Sequence, residues 1–161
     1  MWKSFAIAAI ATLSLGVAAA QAQTFEKKNY NYSDWAKGRF SEAVTVTTTG
    51  PTKMIFLAGV GAENENGQAG DILYKGDVGA QCKYALDKIK RALEKNGAEL
   101  GDIVKMVTYL TDMRSSADFG KCRQDTFGTI PMPAHTLLNV SQLAWPGMLI
   151  EIDVTAMVPL K

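Results

Sequence analysis

The chain predicts a two-layer α+β domain, a mostly antiparallel sheet with two helices on one of its faces. Three observations carry this. Met148, Ile150, Ile152, Val154, Ala156 and Val158 alternate with Leu149, Glu151, Asp153, Thr155 and Met157, the period of two that marks a half-buried strand. Val78, Cys82, Leu86, Ile89 and Leu93 recur at helical spacing between Asp77, a fitting N-cap, and the stop signal Asn96-Gly97. Further β-rich runs lie on both sides of that helix, so the order reads β-β-α-β-α-β-β.

With 161 residues, 47% of them hydrophobic and 20% charged, the chain suits a single soluble domain. Its first stretch is set apart. Met1-Trp2-Lys3 gives a short basic start, Phe5 to Ala20 is apolar, and Ala20-Gln21-Ala22 is an Ala-x-Ala cleavage signature. Residues 1–22 therefore read as a secretory signal, which implies a periplasmic or secreted protein. The apolar run, about 16 residues, falls short of the ~20 that a spanning helix needs, so no membrane association is expected after cleavage. Lys3 is the only charge removed, which takes the formal net charge from +1 to zero. Such a surface gives no electrostatic reason to bind nucleic acid.

Residues 23–38 carry Tyr30, Tyr32 and Trp35 without a sustained period, and read as an arm that packs on the domain or reaches a neighbouring subunit. The domain proper is expected over residues 39–160. Ala43 to Thr49 and Lys53 to Ala58 are β-rich runs joined by Gly50-Pro51, which predicts a hairpin. The loop from Gly59 to Gly67 contains a Gly-x-Gly but lacks the third glycine and an immediate helix, so no dinucleotide cofactor is expected. After the long helix, Asp102 to Thr111 is a third strand, and Ser115 or Ser116 caps a second helix carrying Phe119, Cys122 and Phe127 up to Gly128. Pro133 to Val140 and Met148 to Met157 close the sheet, with Pro146-Gly147 as the turn signal between them.

Lys83, Lys88, Lys90, Arg91 and Lys95 are interleaved with Asp87 and Glu94, and an Asp87–Arg91 pair at i,i+4 makes this a solvated helix face. An oxidising compartment permits a Cys82–Cys122 disulfide, but the apolar helix stripe around Cys82 favours a small core residue over that pairing. One histidine and two distant cysteines do not make a metal ligand set.

If the helices cover one sheet face, the other needs a partner. That open face is expected to carry His135, Leu137, Leu149, Glu151 and Met157, too apolar for water and too polar for a sealed core, which predicts a homo-oligomer with its site at the subunit seam. His135 and Glu151, on what read as neighbouring strands, would then present an imidazole and a carboxylate to one crevice and act together on a water molecule.

Four stretches add a further argument: Phe40-Ser41-Glu42-Ala43-Val44, Phe56-Leu57-Ala58-Gly59, Leu100-Gly101-Asp102-Ile103-Val104-Lys105, and Pro133-Ala134 with Ile150-Glu151-Ile152. In order and spacing, from about Gly38 to Leu160, they resemble the Rid (YjgF/RidA) family of enamine/imine deaminases. The resemblance implies a chorismate-mutase-like fold, a homotrimer, small-molecule sites between subunits, and hydrolysis of the C=N of 2-imino acids to 2-oxo acids and ammonia without a cofactor. It also implies that Glu151 stands where the family's glutamate positions the attacking water. His135 stands where the family has the arginine that pairs with the substrate carboxylate. An imidazole offers one hydrogen bond per nitrogen and no permanent charge, a loss of ~1.5–3 kcal/mol of carboxylate binding. Phe40 replaces a tyrosine, Ala58 stands beside Gly59 where serine is common, and Arg123, near a frequent asparagine, reads either as a substitute cation or as a solvated residue of the second helix. Two functions follow as expectations: a periplasmic deaminase using Glu151 and His135 with Phe40, Ala58, Gly59 and Arg123 around the substrate, or a non-catalytic trimer of the same fold that binds metabolites or shields partners.

Overall fold

The computed structural model describes residues 23–160, so the expected signal over 1–22 lies outside the described residues. Among them the elements are β1 Phe25–Tyr30, β2 Ala43–Thr48, β3 Thr52–Phe56, α1 Val78–Lys95, β4 Ile103–Leu110, α2 Ser116–Phe127, β5 Ala134–Asn139 and β6 Ile150–Pro159. The main sheet runs β3-β6-β4-β5; β6 is antiparallel to both its neighbours, and β4–β5 is parallel. Alternation in β6 sets the layers. Ile150, Ile152, Val154, Ala156 and Val158 are all buried beneath the helices, while the residues between them stay partly open.

Helix α1 forms where its pattern predicted. Asp77 caps it by accepting from the Ala80 amide at 2.9 Å, and the chain leaves it through Gly97 at φ 73°, a left-handed turn that suits glycine. Its Cys82, Ala85, Leu86, Ile89 and Leu93 are fully buried, and each large aliphatic side chain among them contributes roughly 1.5–3 kcal/mol. Helix α2 lays Phe119, Arg123 and Phe127 inward and ends at Gly128. Cys82 and Cys122 are joined as a disulfide that ties α1 to α2, with Cα atoms 6.4 Å apart, so Cys82 is both a core residue and half of a staple. No helix among the described residues is long and apolar enough to cross a membrane.

Four expectations are corrected. The hairpin of residues 43–49 with 53–58 does not form: β2 pairs with β1 in a separate two-stranded sheet, and β3 pairs with β6. β1 offers β2 six matched residues, from Phe25↔Thr48 to Tyr30↔Ala43, and Pro51 has no amide to give a hairpin turn. The supposed arm is therefore partly a strand, hidden in the sequence because Glu26, Lys27 and Lys28 put charge on both its faces. Its anchoring is polar: Lys27 Nζ donates to the Ile103 carbonyl at 2.7 Å. β5 and β6 are not neighbours, since β4 lies between them. Arg91 pairs with Glu65 in the loop before α1 rather than with Asp87.

Candidate functional site

Register decides which side chains can meet. His135 lies opposite Met106, which in turn lies opposite Val154, and both partners are buried under the helices. Glu151 lies opposite Tyr109 and therefore points to the other side of the sheet. The crevice that the sequence predicted, with both groups facing it from one subunit, does not form. His135 and Leu137 face the helices; Glu151 and Met157 face the open side. The structure has two half-sites instead.

The first half-site is a cavity of about 440 Å³ between α2, β5 and the segment before β2, lined by Trp35, Phe40, Phe119, Arg123, His135 and Leu137. Trp35 meets Phe40 edge-on at 5.4 Å between ring centres, and Phe40 and Phe119 lie 6.4 and 5.6 Å from the imidazole. Arg123 Nη1 donates to His135 Nδ1 at 2.8 Å. A guanidinium can only donate, so Nδ1 accepts, and the ring proton sits on Nε2 and is given to Thr108 Oγ1 at 3.1 Å. Burial, with the nearby charges of Arg123 and Lys105, lowers the imidazole pKa to about 3. Held neutral with both nitrogens engaged, His135 is built as a strut for Arg123 rather than as a proton carrier. Arg123 itself is only 9% exposed, and its Nε has no hydrogen-bond partner.

The second half-site lies on the open face. The Leu57 amide donates to Val154 and the Val60 amide to Ile152, so Ala58 and Gly59 together oppose the single residue Asp153 as a bulge. The Glu151 carboxylate rests on that bulge, so close that a Cβ at Gly59 would collide with it. Burial raises the Glu151 pKa above the ordinary carboxylate range, and the charges of Glu63 and Asp153 push it the same way. Glu63 is held by Lys88 of α1 at 3.1 Å, and Tyr109 donates to Asp153 at 3.1 Å.

Of the residues singled out in the sequence, Phe40, Arg123 and His135 thus come together in one place, and Ala58, Gly59 and Glu151 in another. Trp35, Thr108, Glu63 and Lys88 were not read as site residues, and Lys88, expected on a solvated helix face, is mostly buried against Glu63. Only Trp35 carried a signal, as an aromatic residue in a polar stretch. No cluster among the described residues has the His, Cys, Asp or Glu groups to hold a metal ion.

Residues 32–158, which span both half-sites, match the family model described as Endoribonuclease L-PSP. The chain belongs to the YjgF/Rid family. Among its Rid relatives, a RutC family protein of Pyrococcus abyssi is 33% identical over 120 residues, 74% of this chain and 86% of the relative. The 2-iminobutanoate/2-iminopropanoate deaminase of Escherichia coli is 30% identical over 82 residues, 50% of this chain and 63% of that enzyme. The crystal structure of a Yersinia pestis protein of unknown function, YyfB of the Rid family, superposes with a TM-score of 0.65 at 26% identity, covering 84% of this chain and 98% of that one. The α+β Rid fold of this chain is thus the one that the sequence predicted.

Proposed function

We propose that this Rid protein hydrolyses reactive imines and their enamine tautomers to carbonyl compounds and ammonia, in the periplasm after cleavage behind Ala22. The observation that carries the reading is Glu151, a half-buried carboxylate of raised pKa seated on the Gly59 bulge. Such a group exchanges protons more readily near neutral pH than a solvated one. Ionised, it takes a proton from water as the oxygen bonds to the imine carbon and the C=N electron pair moves to nitrogen, and it hands that same proton to the nitrogen. Glu151 then takes the hydroxyl proton of the carbinolamine and delivers it to the amine as the C–N bond breaks, which forms C=O, releases ammonia and restores the carboxylate. Water is the only co-reactant.

We propose further that the chain assembles as a homotrimer, a reading that the same geometry supports. Met54, Phe56 and Leu138 are 49%, 70% and 43% exposed on the open face beside Glu151, an apolar surface that a second copy would cover. Packing of that face near the cavity of the next subunit would join the two half-sites. The acidic groups there, Glu63, Glu151 and Asp153, suit an RNA backbone poorly.

Ammonia release from imines generated in situ tests the reading. Glu151→Ala should lose about 10²-fold or more in rate while keeping its circular dichroism spectrum. A wild-type rate no greater than buffer, or equal rates for the two proteins, would overturn it. The separation of His135 from Glu151 in one subunit favours a second reading, a non-catalytic trimer that holds metabolites. That protein would bind ligand with no ammonia released.

A further inference from the structure

A guanidinium is permanently charged, and burying one without a partner is strongly unfavourable. Arg123 is nine-tenths buried. None of the ion pairs among the described residues includes it. Its one polar contact is the neutral His135, which orients the fork through Nη1 without neutralising it. Nε is left buried with its proton unshared, and the residue lines the 440 Å³ cavity. An oxyanion would satisfy this arrangement, because two parallel N–H donors match a carboxylate. The wall also carries Arg39, Ser116 and Gln124, and its largest side chains are aromatic. Phe119 lies under the guanidinium, whose Cζ is 5.3 Å from the ring centre, and Phe40, Leu137 and the exposed Trp35 complete the chamber.

We infer that this cavity binds a carboxylate attached to an aromatic or bulky apolar group, with Arg123 of α2 as the anion anchor and Trp35, Phe40 and Phe119 as the walls for the side chain. The cation thus comes from the helix instead of the strand position that His135 fills, and the cavity selects large side chains over small ones. For the imine carbon this rests on the deaminase reading and names its substrate class, 2-imino acids with aromatic or large apolar side chains. The anion site itself does not depend on turnover.

The test is binding of 3-phenylpropanoate, which carries the carboxylate and the ring but no reactive carbon. Titration calorimetry, with quenching of tryptophan fluorescence as a second signal, compares it with 3-phenylpropanamide, propanoate and inorganic phosphate. The wild type should bind 3-phenylpropanoate at least tenfold more tightly than each of the three. Arg123→Gln should lose at least tenfold, Arg123→Lys should lose less, and Trp35→Ala should weaken 3-phenylpropanoate but not propanoate. Because 3-phenylpropanoate has no C=N to hydrolyse, its binding is read independently of ammonia release, which separates failure of this inference from failure of the deaminase reading. Equal affinity of the wild type for the acid and the amide would overturn the anion anchor even if an Arg123 variant failed to fold. Equal or tighter binding of phosphate or propanoate would overturn the assignment of the apolar walls.

Discussion

His135 shows how far a single side chain can move from its sequence-level reading. Exposed, an imidazole near pKa 6.5 would carry protons at physiological pH; here burial and two neighbouring cations hold it near 3. Between those values the unfolded chain binds more protons than the folded one. The stability that the neutral ring contributes is complete above about pH 6.5 and drains away as pH falls toward 3, with a slope approaching ~1.4 kcal/mol per pH unit. His135→Gln, whose amide oxygen can still accept from Arg123, should flatten that acid limb in urea unfolding measured from about pH 4 to about pH 6. An unchanged slope would show that the ring does not titrate this way. The sequence singled out His135, Phe40 and Arg123, and the fold brings the three side chains to one cavity. It could not show which face His135 takes, because the segment from Ala134 to Asn139 has no strong apolar alternation and its burial pattern is nearly uniform.

At the level of elements, strong periodicity was the dependable guide. α1 and β6 stand where their patterns put them, since each buries a full apolar face. β1 escaped because it buries almost nothing and is held by backbone pairing and lysine contacts. Local spacing likewise suggested a hairpin across Gly50-Pro51, yet partners distant in sequence captured both strands. The disulfide between α1 and α2 left only its two cysteines to be read, and spacing alone cannot bring helices together. By chain-entropy arguments a loop of this length contributes ~4 kcal/mol. Reduction, or the double change Cys82→Ala and Cys122→Ala, should therefore lower Tm by roughly 10 °C or more in thermal melts. A melting temperature unmoved by reductant would mean that the helices are held by packing alone.

For the whole molecule, the proposed assembly rests on the open sheet face. Apolar side chains as exposed as Phe56 beside a half-buried acid are costly in a free monomer, and covering them is the simplest remedy. Phe56→Asp should leave the subunit fold intact by circular dichroism while cutting the mass from light scattering from three subunits to one. If the wild type already runs as a single subunit, the proposed joining of the half-sites fails with it. The bulge at Ala58-Gly59 carries a consequence of another kind. Because the acid of β6 occupies the space that any side chain at position 59 would need, changes at these two positions cannot be independent. A larger residue at 59 would evict the carboxylate unless position 151 shortened in step, so the two behave as one heritable unit, and a double-mutant cycle across them should depart sharply from additivity.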